Sequence, residues 1–342
     1  LVGGLTLAAG AALDLGPLAA TAFAAPTAQA MPPIVDCAGW GARANSKIVP
    51  VWNQKPLKIL VHHTATPNQA NVSQDAAFSL VRSIQNFHMD RRGWLDTGQH
   101  FTVSRGGFVM EGRHRSLEIV RVGRQQVEGA HCTGQNIVAI GIENEGTYTS
   151  VDLPAALWNR LRDLCAWICS RYGIHPTELY GHRDFKNTAC PGDRLYGLLP
   201  KLRTEVAAVL GQRVTTVVKA SWPLLQPGDR GPEVTAAQYL LRDAHVTTSA
   251  PTGVFDTATD AAVRRFQAAT RAEEVNGILG GESWPVLARA TQRGTGGDAD
   301  RAVDTLVAAR GAEGVPDVVT APTWQQLLGT GGAPANLTAD PH

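Results

Sequence analysis

The sequence predicts an α/β domain followed by a smaller helical one, and three observations predict it. Between residues 32 and 211, short apolar runs alternate with amphipathic stretches of helical period, the pattern of strands covered by helices. Some of those apolar runs stop abruptly in histidine, threonine or glutamate. Beyond residue 221, Gly/Asp turns separate short helical stretches instead. A chain of 342 residues suffices for two domains plus tails. Its 18% charged and 44% hydrophobic content is that of a folded globule. A formal charge of +1 gives no basis for nucleic-acid binding, or for a membrane held electrostatically.

The first thirty residues differ from the rest. Leu1 to Leu13 is an apolar Gly/Ala-rich run, and Ala28-Gln29-Ala30 fits a small-residue cleavage site, making Met31 the first mature residue. The run is too short to span a bilayer. No basic segment precedes it and the chain begins with Leu, so the leader is expected to start upstream. Residues 1–30 therefore read as a signal peptide, and the mature protein as secreted, to the cell wall or periplasm. In such an oxidising compartment Cys37, Cys132, Cys165 and Cys169 can pair, leaving Cys190 as the odd thiol. Buried free thiols are the alternative. Cys165 and Cys169 lie four apart on a predicted helix, so each needs a partner elsewhere.

Taken in order, Ile34 to Arg43 is irregular and carries Trp40. Leu57-Lys-Ile-Leu-Val61 reads as a buried strand ending in His62-His63-Thr64, the kind of strand end where open α/β sheets place their chemistry. Ser73 caps a helix whose apolar face runs Phe78, Val81, Ile84 and His88. Gln99–Ser104 and Gly107–Arg113 form a hairpin through Arg105-Gly106. Ile137 to Ile142 is an unbroken apolar run, hence a central strand, and it delivers Glu143. Leu157, Leu161, Leu164, Cys165 and Ile168 mark a helix stopped by Gly173. Leu179-Tyr180 is a last short strand, entering Gly181-His-Arg-Asp.

Residues 212–221 lack helical periodicity and read as a linker. Residues 222–290 hold three short helices. An ungapped offset of 40 then superposes Ala262-Val263 on Ala302-Val303, Phe266 on Leu306, Trp284 on Trp324 and Leu287 on Leu327. Residues 291–330 are thus a partial second copy that lacks its first helix and packs on its neighbour. Residues 331–342 read as a disordered tail.

The chemistry concentrates in Gly181–Asp193, where His182 and Cys190 are eight positions apart with Gly and Pro at both ends. Imidazole and thiolate suit zinc, and the turn residues let the loop fold back. Among ten histidines, His62 stands out because, like His182, it ends a strand. Three protein ligands and an open position are the composition of a catalytic zinc; His63 as a fourth ligand would make a structural one.

Three stretches, Ile59-Leu-Val-His62-His-Thr-Ala-Thr66, Ile140-Gly-Ile-Glu143-Asn-Glu-Gly146 and Gly181-His-Arg-Asp…Ala-Cys190-Pro-Gly192, resemble the zinc N-acetylmuramoyl-L-alanine amidase family. That family includes the peptidoglycan recognition proteins. The resemblance covers nearly all of residues 34–205. It implies a mixed β-sheet flanked by helices, zinc held by His62, His182 and Cys190, and hydrolysis of the amide between N-acetylmuramic acid and L-alanine in peptidoglycan.

The general base is a point of divergence. Many phage and animal members carry a tyrosine where this chain has Gln99, which cannot transfer protons. Bacterial members similar to the anhydro-muropeptide amidases use a glutamate in a Gly-Ile-Glu strand, so the resemblance assigns that role to Glu143. Glu145 is the rival, since strand alternation puts both on one face. Thr188 stands where phage enzymes have lysine, and implies a weaker oxyanion contact. His131 in Gly129–Gly134 and Arg113 match a family stretch that lines the substrate groove, implying contacts to peptide or glycan, and both could equally be surface residues; His63 and Asn136 are expected as further substrate-binding residues.

The C-terminal part resembles the small three-helix peptidoglycan-binding domain, on Gly228-Asp-Arg-Gly231, Gly253-Val-Phe-Asp256, Phe266-Gln267 and Trp284. It is expected to bind wall, raising the effective concentration of the enzyme on an insoluble polymer; a structural appendage is the alternative. The resulting expectation is a secreted, monomeric zinc amidase with peptidoglycan as its partner, no nucleic acid, and no membrane once the leader is removed. Its rival is a non-catalytic peptidoglycan-binding protein of the same fold.

Overall fold

Six of the predicted and unpredicted strands combine into one mixed sheet. The computed structural model describes residues 29–214 and 221–329; the predicted leader, most of the linker and the tail lie outside the described residues. The strands are β1 (Ile34–Val35), β3 (Lys58–His63), β4 (Phe101–Val103), β5 (Val109–Glu111), β7 (Ala139–Asn144) and β8 (Leu179–Gly181), in the order β1-β5-β4-β7-β3-β8. Only β4 and β5, the predicted hairpin, pair antiparallel; the other neighbours are parallel. A separate antiparallel ribbon joins β2 (Val51–Trp52) to β6 (Gln126–Val127).

β3 and β7 are central, and their apolar runs explain why: buried on both faces, they lose little by being Val/Ile/Leu throughout. One face carries Ile59, Val61, Phe101, Ile140 and Ile142 against helix α3 (Ala155–Tyr172), which contributes Leu157, Leu161, Leu164, Cys165 and Ile168. Each such side chain, fully buried, stabilises by about 1.5–3 kcal/mol. α3 ends where expected, at Gly173 with φ 76°. Helix α5 (Leu199–Val209) extends this core, joined to the preceding chain through α4 (Asp193–Gly197).

Helix α1 (Gln74–Asn86) starts at Ser73, whose Oγ accepts from the Ala76 N–H at 3.3 Å. Its fully buried edge is Ala77, Val81 and Gln85, so the predicted stripe is rotated, leaving Phe78 and Ile84 half-buried. The helix widens into a π turn over Phe87–Arg91. Helix α2 (Ser116–Val122) closes the sheet's end near β6.

The expected cysteine pairing is not made. All five cysteines are thiols. Cys37 packs with Trp40 and Met110, Cys132 with Leu60 and Ala139, and Cys165 and Cys169 lie along α3 in the main core. Held in three separate apolar clusters, or side by side on one helix, they act as small hydrophobic groups. Burial pushes the Cys132 and Cys169 thiols up to about 12.

The helical part comprises α6 (Pro232–Asp243), α7 (Thr257–Ala269), α8 (Trp284–Leu287), α9 (Asp298–Arg310) and α10 (Ala321–Leu328), with a small ribbon of β9 (Thr291–Gln292) and β10 (Val318–Val319). The internal repeat is visible in its two tryptophans. Trp284 donates its indole N–H to the Pro223 carbonyl at 2.7 Å and Trp324 donates to that of Arg289 at 2.9 Å. The partial copy lacks a first helix and borrows α6: α9 packs along it, tied by Arg310–Glu233 at 2.8 Å and Arg242–Asp298 at 3.2 Å. Both copies consequently share one continuous core. No helix among the described residues is long and apolar enough to cross a membrane.

Candidate active site

Strand register builds the site. His62 on β3 is paired with Glu143 on β7, while Val61 is paired with Gly181 on β8, so that His182 follows beside His62. Three parallel strands therefore deliver His62, Glu143 and His182 to one carboxyl edge. Cys190 arrives from the loop after β8, which closes on itself: the Arg183 N–H donates to the Cys190 carbonyl at 3.0 Å. One ligand atom from each of His62, His182 and Cys190 lies within 4.8 Å of the others. These three, with Glu143, line a cavity of about 360 Å³.

The hydrogen bonds fix which imidazole nitrogens are free. His131 Nε2 faces the Ala139 carbonyl at 3.4 Å, and a carbonyl can only accept, so this nitrogen carries hydrogen. His131 Nδ1 is then an acceptor, and His62 Nε2, 3.1 Å away, is the donor. The His62 Nδ1 lone pair is left facing Cys190 Sγ at 3.7 Å. This outer-partner arrangement is the one that orients a metal-binding histidine. Burial, followed by the neighbouring histidines, holds His62 well below the ordinary imidazole range, and burial brings His182 down to about 4. Both are neutral at pH 7. Burial pushes the Cys190 thiol up, offset in part by the His63 backbone N–H, which donates to its sulfur at 3.4 Å.

Gly141 is what admits His131. A Cβ at this β7 position would lie 2.5 Å from the His131 ring. His100 flanks the same ring, with centroids 5.4 Å apart, and accepts the Gly141 N–H on Nδ1 at 3.0 Å.

Glu143 Oε2 is buried and without a hydrogen-bond partner, and desolvation alone raises its carboxyl to about 8. Glu145 is separated from it by the end of the strand: β7 stops at Asn144, and Glu145 Oε2 turns away to accept the Arg105 N–H at 2.7 Å. Gln99 lines the cavity with its Nε2 committed to Thr102 Oγ1 at 3.0 Å. Thr188 also lines it; its Oγ1 accepts the Cys190 N–H at 3.2 Å, so its own hydroxyl proton remains to be donated.

Of the residues expected at the substrate, His63 and His131 line the cavity, although His63 Nδ1 accepts the Tyr148 N–H at 3.2 Å. Arg113 and Asn136 are not among the lining residues. Arg113 is buried, donating to the carbonyls of Thr97 at 2.6 Å and Glu128 at 2.7 Å. Asn136 Oδ1 accepts the N–H groups of His131 and Cys132, both at 2.9 Å, and so shapes the loop that presents His131. His88 and Trp94 line the far side of the cavity with ring centroids 4.6 Å apart. Sequence periodicity placed His88 on an apolar helix face; the π turn that redirects it has no such signature.

A mixed sheet with two neutral histidines, a cysteine and an orphan carboxylate at one carboxyl edge defines an α/β protein with a cluster of soft donors that could hold a metal ion. The chain belongs to the N-acetylmuramoyl-L-alanine amidase and peptidoglycan recognition protein family. Residues 52–193 match the N-acetylmuramoyl-L-alanine amidase family and residues 230–287 a peptidoglycan binding domain family. Peptidoglycan-recognition protein SC2 of Drosophila melanogaster is 32% identical over 164 residues, covering 48% of this chain and 82% of that protein. The N-acetylmuramoyl-L-alanine amidase of Sus scrofa is 33% identical over 184 residues, covering 51% of this chain but 29% of the relative. The chain thus spans about three-tenths of the length of such larger relatives. The solved structure of Drosophila PGRP-LB aligns at 27% identity with a TM-score of 0.43, covering 48% of this chain and 91% of the other.

Proposed function

We propose that this protein is a secreted, zinc-dependent amidase that cleaves the bond between N-acetylmuramic acid and L-alanine in peptidoglycan. The observation that carries the reading is the shared cavity: three soft donors within 4.8 Å of one another beside a buried carboxylate oxygen that nothing else satisfies. His62, His182 and Cys190 fit zinc in residue type, in number and in the neutral state of both imidazoles. A zinc ion there supplies Lewis-acid polarisation of the scissile carbonyl and acidifies a water toward neutrality.

The side chains do the rest. Glu143 Oε2 takes a proton from the attacking water and returns it to the leaving amine of alanine. Burial holds the Glu143 carboxyl at about 8, and a cation bound beside it would lower it toward the range of a base that works near neutral pH. Thr188 turns its hydroxyl toward the oxyanion that develops on the carbonyl oxygen, a neutral donor and hence weaker than an ammonium. His131 holds the His62 ring, and Asn136 and Arg113 support the walls. His63, His88 and Trp94 offer the peptide a polar and an aromatic surface, and the C-terminal part holds the enzyme to the wall.

Incubating the protein, loaded with zinc, with purified sacculi tests the reading. New N-terminal L-alanine is the expected product. Retention of sacculi without any such product would show a peptidoglycan-binding protein of the same fold.

A further inference from the structure

The loop that carries His182 and Cys190 is gripped at its tip by the C-terminal helical part. Asn187, three residues before Cys190, is 1% exposed although it lies at the apex of a loop. Its Oδ1 accepts the N–H groups of Gly280 at 3.2 Å and Ser283 at 3.1 Å, and its Nδ2 donates to Glu282 at 3.0 Å. Its carbonyl accepts from Asn276 Nδ2 at 2.6 Å. Every one of these partners belongs to the segment between α7 and α8.

Neighbouring contacts close the same seam. The Gly281 N–H donates to the Arg183 carbonyl at 3.0 Å. Lys186 Nζ meets Glu273 at 2.5 Å and Glu282 at 3.5 Å, and Glu273 also accepts from Thr133 Oγ1 at 2.7 Å, two residues past His131. The backbones touch: a Cβ on Gly281 would lie 2.1 Å from the Asp184 carbonyl oxygen, and one on Gly280 would lie 2.6 Å from that of Lys186. A polar residue this completely desolvated, with its side-chain amide and its carbonyl all engaged by one partner, holds one geometry rather than several.

We infer that the C-terminal part is a docked clamp that fixes the 183–187 loop and thereby sets the separation of His182 and Cys190, with Asn187 as the positioning residue. This rests on the reading of His62, His182 and Cys190 as metal ligands. The loop is closed at its base by the Arg183 N–H on the Cys190 carbonyl; pinned at its apex as well, it samples fewer spacings of the two donors, and less ordering remains to be done when a metal binds. The clamp also keeps Thr188, the next residue, facing the cavity. The C-terminal part therefore works as an outer shell of the metal site, and not solely as a tethered wall binder.

The test uses the full-length chain, with zinc affinity measured by competition against a chromophoric chelator and module docking by small-angle X-ray scattering. The wild type is titrated first; failure to bind zinc there overturns the metal reading itself. Gly281→Ala forces the seam apart. It is expected to expand the molecule and weaken zinc binding by about 10–100-fold, the usual cost of losing an outer-shell partner. On a soluble muropeptide at limiting zinc, kcat is expected to fall with KM nearly unchanged. A charge exchange gives an independent arm: Lys186→Glu and Glu273→Lys each weaken zinc binding, and the two together restore part of it, because Glu282 still faces position 186; no restoration at all overturns the inference. An expanded Gly281→Ala protein with wild-type zinc affinity overturns the inference, as does one that stays docked, because the close approach is its premise.

Discussion

His62 and Glu143 are register partners on adjacent parallel strands, and this pairing puts the histidine proposed as a metal ligand and the orphan carboxylate side by side on one face. The same face is emptied two residues earlier by Gly141, into which the His131 ring fits. Ligand, outer partner and base are thus spaced by a rigid ladder, the kind of element that holds a catalytic geometry better than loops do.

Replacing Glu143 with Gln keeps the shape of the side chain and removes the proton acceptor. The expected outcome is a loss of roughly 10²–10⁴ in kcat, the range for general-base removal, with zinc content unchanged. Single-turnover release of L-alanine-terminated peptides and metal analysis on the same sample would check it. Full activity in this variant would move the base elsewhere.

The same substitution has a pH signature in the metal-free protein. The Glu143 carboxyl rises from its usual 4.5 to about 8 because it is desolvated. Below pH 4.5 folded and unfolded chains both hold the proton. As pH rises from there toward 8, only the unfolded chain releases it, and the folded state loses stability. Glu143→Gln should therefore be neutral near pH 4 and stabilising at pH 8 by an amount on the order of a few kcal/mol, several degrees in Tm. Histidines act in the opposite sense. Burial brings His63, His88, His100 and His182 each to about 4, so the stability they provide is present above pH 6.5 and is lost as pH falls toward 4. Comparing wild type with Glu143→Gln at each pH cancels the histidine contribution. A Tm difference that does not change between pH 5 and 8 would contradict the assignment.

Cys190→Ser substitutes a poor zinc donor for a good one at the same position. Zinc affinity is expected to fall by more than the roughly 10–100-fold that outer partners are worth, and activity with it. Zinc uptake by the wild type should release a proton, because the thiol raised by burial must ionise to bind, and the Ser variant should release none. Proton release in a weakly buffered titration reads this directly.

Gly141→Ala would drive a methyl group into the His131 ring. The ring must move, His62 Nε2 loses its acceptor, and the protein is expected to lose about 1–3 kcal/mol, as overpacked cores do. Zinc affinity should drop as well, while the thermal stability of the C-terminal part stays as it was. Unchanged zinc binding with a displaced His131 resonance would show that His131 does not orient His62.

Much of this molecule was legible in its residues. The runs at 57–61 and 137–142 mark the two central strands; residues 59–61 and 139–142 are buried, while the leading Leu57 and Ile137 are exposed, and each run ends in a side chain with chemistry. Ser73 and Gly173 mark helix ends through their own local preferences. The 40-residue repeat survives as matched apolar spacing because each copy must bury the same tryptophan. These features are local or periodic, and sequence records such features directly.

Tertiary structure decided what spacing leaves degenerate. Glu143 and Glu145 alternate onto one face in an ideal strand, and only the end of β7 and the Arg105 N–H send them apart. The cysteines suited pairing by compartment, yet the core distributes them among three clusters where no two sulfurs bond. Arg113, buried, and Asn136, half-buried, stand off the cavity lining, their hydrogen-bonding groups engaged by backbone carbonyls and N–H groups. Asn187 gave no signal at all. Its partners lie about ninety residues away in the chain, and long-range contacts of that kind follow from how the two parts pack, which no local pattern encodes.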